Sequence, residues 1–401
     1  MHHRAPALGG SAERPLDVTA GSTVGVVLLG PGGPQSRQEI RNFLYRGLMD
    51  PAAGALPGSG WVRHATSLAL AWSRAEAIER EYEAVGGRAP VVRHALEQVR
   101  SLQTHLDRQE SAVRFKVYPA MRHGEPSTEE ALDRMADDGI DHAVLISIFP
   151  QYSVARTGSS LLYWEAASRR ARRVPTVTAV RDYAEDPLLV RALNERIDET
   201  LQRFPRDQRG AVRYVFVAHG GSPMDAQRSD RPYCCQVHRT VDAVMRYRGY
   251  DRPFDVAFQR SSGITDPSGQ AVEDVLSRLG DAGERNVLML PVSTVTEQLD
   301  IAYRLDVTMR RVSDSAGIAR YEVAAPLNCH PLLIEAFSRV VRGRVIVDGT
   351  RLGPEPVTPS DVCPRASWES SGDSSAVCRQ CSHSADAHVA LPIRAVEPSA
   401  A

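Results

Sequence analysis

Two apolar runs in this chain end abruptly in residues that can hold a cation or move a proton. Tyr214-Val215-Phe216-Val217-Ala218 leads straight into His219-Gly220-Gly221-Ser222-Pro223, and Val287-Leu288-Met289-Leu290-Pro291 leads into a polar stretch that carries Asp300. An imidazole at one strand end and a carboxylate beyond another are a donor pair for a divalent metal, or a relay for protons near neutral pH. Gly220 and Gly221 permit close backbone approach to a ligand, and Pro223 fixes the turn. Further on, Asp230 and Tyr233 add a polar group and an aromatic ring. If the segment around Asp300 is helical, Glu297, Asp300 and Arg304 share one face.

A second group of chemically capable residues lies near the C-terminus. Cys378-x2-Cys381 has metal-ligand spacing, with Cys363, His383 and His388 close by. Thiolates so spaced suit zinc or an iron–sulfur cluster. A [2Fe–2S] cluster needs a fourth ligand, for which Cys329 and Cys235 are the candidates; zinc would take His383 or His388. The glycine-rich turn Gly30-Pro31-Gly32-Gly33-Pro34 suggests a phosphate cradle at first sight. It lacks the dinucleotide-binding spacing and the P-loop lysine, and its two prolines remove backbone donors, so no nucleotide is expected.

The elements that must position these residues follow from periodicity. Strand-like runs recur at residues 24–29, 113–118, 143–148 and 176–180, and again at 212–218, 254–258, 286–290 and 321–325. Helical stretches intervene, among them 127–138, 270–279 and 331–341; Ser127 and Glu130 have the spacing of a capping box. Strands alternating with helices predict parallel sheets with right-handed crossovers. The expected architecture is α/β, with two similar Rossmann-like halves, each holding a parallel four-stranded sheet, and an irregular tail. The expected divisions are a disordered leader over 1–22, halves over 23–205 and 206–352, and a cysteine-containing tail over 353–401. The stretch from Trp61 through Leu68 to Trp72 reads either as a core helix or as an exposed lip touching lipid or an oily ligand.

Composition narrows the function. A net charge of −1 gives no overall field favouring nucleic acid or anionic membrane. Lys116 is the only lysine, and arginine is spread along the whole chain, as a compositional bias rather than a binding patch. No run reaches the roughly 18–20 apolar residues of a membrane helix, and the N-terminus lacks the apolar core of a secretory signal. A cytoplasmic protein, at most peripheral to a membrane, is expected.

Several ordered segments together resemble ferrochelatase, the family that inserts ferrous iron into a porphyrin. They are Leu28 to Pro34 with Asn42-Phe43-Leu44, Tyr82 to Pro90, Phe149-Pro150-Gln151-Tyr152-Ser153 with Thr157-Gly158-Ser159-Ser160, Ala218 to Pro223, and Leu327-Asn328-Cys329-His330-Pro331. The resemblance spans about residues 24 to 345. It implies that His219 faces the porphyrin centre, binding the Fe2+ substrate or accepting pyrrole protons, with Asp300 across from it. It also implies that Pro31, Arg122, Tyr152 and Tyr233 lie near the macrocycle or its propionates, and that the stretch from Trp61 to Trp72 forms an apolar lip. A [2Fe–2S] cluster in the tail, peripheral membrane contact and handover from the preceding haem-pathway enzyme belong to the same implication.

This chain departs from the family at four positions. Asp300 stands where a glutamate is usual, Arg304 where another acidic residue is usual, and Pro31 where many relatives carry methionine or tyrosine. Val154 occupies the place of the internal cluster-ligating cysteine of animal enzymes. The resemblance favours protoporphyrin IX as substrate, with coproporphyrin III as the alternative. A non-catalytic porphyrin or haem carrier with a redox-sensing cysteine tail is the rival of another class.

Overall fold

The computed structural model describes residues 14–50, 52, 60–109, 111–221, 233–259, 270–355, 357 and 364. Cys363, Cys378, Cys381, His383 and His388 lie outside the described residues, as do Ser222, Pro223 and Asp230.

Two parallel four-stranded sheets carry the molecule. The first contains β2 (Thr23–Gly32), β3 (Arg114–His123), β4 (His142–Ser147) and β5 (Thr176–Val180), in the order β3-β2-β4-β5. The second repeats the order as β7-β6-β8-β9, with β6 at Arg213–His219, β7 at Phe254–Gln259, β8 at Asn286–Pro291 and β9 at Arg320–Val323. All eight predicted strands are present, with ends moved by a few residues. Helices α1 (Ile40–Met49), α2 (Gly60–Ala84), α3 (Pro90–Asp107), α4 (Thr128–Asp137), α5 (Ser159–Ser168) and α6 (Pro187–Leu201) belong to the first half of the chain. Helices over Tyr233–Tyr247, Val272–Asp281, Met309–Ser315 and Pro331–Arg342 follow in the second.

The sequence dictates this layering through a period of two. Along β2, Val24, Val26 and Leu28 join the large central core, while Val27 and Leu29 join a separate cluster with Leu132 and Trp164. Along β6, Tyr214, Phe216 and Ala218 face the central core, and Val215 and Val217 face a third cluster with Leu276 and Leu305. Strands buried on both faces need apolar residues at every position, which is why these runs are continuous rather than alternating. The central core contains residues of both sheets and of the Pro331–Arg342 helix, whose Phe337 is fully buried.

The predicted cap at Ser127 forms, with its side chain accepting from the Glu130 amide. The reciprocal bond comes from Glu125, which accepts from the Ser127 amide.

Residues 16–18 correct the expected leader. Leu16–Val18 forms β1 and pairs in parallel with β10 (Val345–Val347), which also pairs with β11 (Thr350–Arg351). Leu16 and Val18 are buried and Asp17 is exposed. A three-residue strand whose partner lies at the far end of the chain leaves no local periodic signal.

Buried amide groups join the two sheets' surroundings. Gln151, after β4, donates to Thr240 Oγ1 at 2.8 Å and to the Val292 carbonyl at 3.0 Å. Gln236 accepts from the Tyr152 amide and donates to the Tyr152 carbonyl. A third tie runs from α3: Gln98 donates to the Asn328 carbonyl and accepts from Thr296 Oγ1, and His94 meets Glu297 at 2.9 Å and Glu97 at 3.0 Å. Glu297 foremost, then Glu97, hold the His94 imidazole above its usual range, against burial and the neighbouring Arg93.

A raised folded-state value means that this contribution is present below the unfolded value near 6.5 and fades as pH rises through the folded one. The His94→Gln variant should therefore lose about 1 kcal/mol at pH 6 and measurably less at pH 9, read from urea unfolding midpoints. A penalty of equal size at both pH values would contradict a charged His94.

Candidate active site

In each sheet the strand order reverses direction between its first and third strands, giving a topological switch point where open α/β sheets bind ligands. In the first sheet that point lies between the ends of β2 and β4, from which the Gly30–Pro34 turn and the Phe149–Ser153 block emerge. In the second it lies between the ends of β6 and β8, from which His219 and the segment leading to Asp300 emerge. The two points meet: the Phe149 and His219 ring centroids are 6.4 Å apart, and the Val295 amide donates to the Ile148 carbonyl.

His219 is fixed from both neighbouring strands. Its amide donates to Ser293 Oγ at 2.8 Å beyond β8, and it lies in register with Gln259 at the end of β7. Gln259 in turn donates to the Asp300 carbonyl at 3.0 Å. His219 Nδ1 lies 3.6 Å from Asp300 Oδ2. The sequence-predicted pair is thus brought together.

Asp300 opens a π-helical segment, Asp300–Thr308, that runs into the Met309–Ser315 helix. The expected shared face with Glu297 does not form. Glu297 lies before the helix, where its amide donates to Asn328 Oδ1 and its carboxylate turns to His94. The wide helical turn pairs Asp300 with Arg304 instead, at 3.1 Å.

Burial pushes the His219 imidazole well below its usual pKa, and the Arg156 guanidinium adds to that; Asp300 opposes both. Its Nε2 is buried and has no hydrogen-bond partner among the described residues. In the tautomer whose Nδ1–H faces Asp300, Nε2 carries the lone pair, and the Gln259 side chain also lies close to the ring. An unpaired buried nitrogen costs about 1–3 kcal/mol, and such a group is the one that a substrate can satisfy.

Sequence reasoning missed Arg156, whose guanidinium lies 5.3 Å from the centre of the Phe149 ring. A lone charge within a block of small, polar and aromatic residues was the available signal. It also missed Glu81, which faces Arg304 at 3.3 Å from α2, and the cluster around Asp50. There Arg122 lies 3.4 Å from the Asp50 carboxylate and donates to the Ala155 carbonyl at 2.8 Å. Ser159 also donates to Asp50, and the buried His123 is near its carboxylate and packs edge-on to Tyr163. Arg122 is therefore held internally rather than standing open for a carboxylate of a ligand.

The other predicted residues are held in different ways. Pro31 is half-buried near the end of β2. Gly32 has positive φ, and a Cβ there would meet the His123 carbonyl oxygen at 2.3 Å, so this turn is packed against protein. Tyr152 has the Arg181 guanidinium 4.5 Å above its ring, and Tyr233 is buried at the start of its helix. Cys235 is buried in that same helix, whereas Cys329 is partly accessible.

The large apolar side chains of Trp61, Leu68 and Trp72 are exposed and not part of the core. Trp61 is 76% and Trp72 59% exposed, and with Leu68 they form a stripe along α2 at helical spacing. Among the described residues no helix is long and apolar enough to cross a membrane.

The ring protons of His219 should not titrate between pH 5 and 8. Proton NMR of the wild type, with His219→Ala assigning the signal, checks this; a midpoint near 6.5 would contradict the buried, neutral ring.

The ferrochelatase family model matches residues 23–345. A ferrochelatase of Gloeobacter violaceus is 30% identical over 325 residues, covering 79% of this chain and 96% of the relative. One from Synechococcus elongatus is 28% identical over 351 residues, 86% of this chain and 89% of the relative. Among solved structures, the sirohydrochlorin chelatase SirB from Bacillus subtilis in complex with cobalt has a TM-score of 0.47 and 11% identity, over 81% of this chain and 95% of its own. The matched family and the paired strand ends agree: the chain belongs to the ferrochelatase family, metal-chelating lyases that insert Fe2+ into porphyrin.

Proposed function

We propose that this chain inserts Fe2+ into protoporphyrin IX to form protohaem, with release of the two pyrrole protons. The observation that carries the reading is the buried His219, with an unpaired Nε2 and with Nδ1 3.6 Å from Asp300, at the meeting of two switch points. Metalation replaces two N–H protons by a dication. A neutral imidazole can accept a proton or ligate iron, and a carboxylate can hold the metal or take the proton onward. No nucleotide or redox partner enters the step.

In this reading Pro31 and Tyr152 flank the macrocycle from the first half and Tyr233 from the second. Arg122 acts through the Asp50–Arg122–His123 cluster rather than as a free clamp on a propionate. The stripe Trp61, Leu68 and Trp72 is the apolar lip through which a hydrophobic ring reaches a cytoplasmic protein touching the membrane, where the preceding haem-pathway enzyme could hand it over. For the tail, we propose a [2Fe–2S] cluster on Cys363, Cys378 and Cys381. Cys329 is the fitter internal fourth ligand because it is partly accessible and Cys235 is not.

Anaerobic Fe2+ insertion should proceed in the wild type and fall by at least about 100-fold in His219→Ala. Protoporphyrin IX and coproporphyrin III compared at equal concentrations assign the ring. A higher kcat/KM for coproporphyrin III would replace protoporphyrin IX in this reading. Tight porphyrin binding without turnover in the wild type would favour the carrier.

A further inference from the structure

The two oxygens of Asp300 have different partners. Oδ2 faces His219 Nδ1, while Oδ1 is 3.1 Å from an Arg304 nitrogen. The same guanidinium presents Nε to Glu81 on α2, at 3.3 Å. Arg304 thus bridges a carboxylate beyond β8 and a carboxylate of the lip helix. All three side chains are only about a quarter to a third exposed, where ion pairs are screened less than at an open surface.

A guanidinium keeps its charge, so this bridge cannot be relieved by losing a proton. A dication arriving at Asp300 would meet a carboxylate whose charge is already neutralised and a fixed positive neighbour. Two carboxylates, one guanidinium and a neutral imidazole still leave one negative charge, and Arg156 beside Phe149 offsets part of it. For the metal to take Asp300, Arg304 must give up that partner, and Glu81 already provides another on the same side chain.

We propose that Arg304 is the exchangeable cation of this site. It occupies Asp300 at rest and moves wholly onto Glu81 when ferrous iron binds, so that iron competes with Arg304 for Asp300 and occupancy is tied to α2. Arg304 and Glu81 set the affinity for the metal, not for the ring. The inference rests on the chelatase reading above.

Initial-rate kinetics of the full chain, varying Fe2+ at saturating porphyrin and the reverse, test it. Arg304→Gln should lower KM for Fe2+ about tenfold and leave KM for porphyrin within about twofold. Glu81→Gln should raise KM for Fe2+, because Arg304 is then held by Asp300 alone. An unchanged or raised Fe2+ KM in Arg304→Gln, or both KM values moving together, would overturn the proposal. Absence of turnover even in the wild type would instead sink the chelatase reading. Calorimetric binding of Fe2+ to the porphyrin-free chain then still decides the exchange: it requires tighter binding in Arg304→Gln and weaker binding in Glu81→Gln, and equal affinities would refute it.

Discussion

The structure depends on two sheets of identical strand order being held with their switch points against each other. Gln151 and Gln236 secure the arrangement, because each buried amide finds its partners across the boundary, on Thr240 and Val292 or on the Tyr152 backbone. A buried amide that lost those partners would carry its full desolvation cost, so these contacts specify one mutual placement of the halves. His219 inherits its surroundings from that placement: Phe149 comes from the first half, and Ser293, Gln259 and Asp300 from the second.

Burial then sets the chemistry. An exposed imidazole would be partly protonated in a neutral cell and would repel a dication. Enclosure between strand ends keeps His219 neutral, and Arg156 pushes the same way. Asp300 is less enclosed and is tethered through its own backbone carbonyl by Gln259, so the carboxylate can exchange partners while its main chain stays in place. The π-helical turn that begins at Asp300 brings Arg304 onto it, and such turns occur often at functional sites.

Much of this was legible in the sequence. The eight strands could be read because both-face burial demands unbroken apolar runs. His219 and Asp300 stood out because such runs end in polar residues only where a ligand or solvent is met. The Phe149–Ser153 block was recognisable, but its work as a brace was not: a glutamine in sequence does not reveal that its amide will be buried against another half. Glu81 and Arg304 are far apart in the chain, and only the packing of α2 on the π-helical segment makes them a pair. Glu297 was misplaced because helical spacing was extended one turn too early, into a segment fixed instead by Asn328 and His94. The strand at residues 16–18 was missed for the same reason as Glu81, since its partner lies at the other end of the chain.

In the proposed function the His219–Asp300 pair performs metal insertion. Single-turnover Fe2+ insertion into pre-bound porphyrin, compared between wild type and Asp300→Asn, tests it most directly. Porphyrin affinity should be unchanged and insertion slowed by about 100-fold or more. Insertion by Asp300→Asn at the wild-type rate would contradict it.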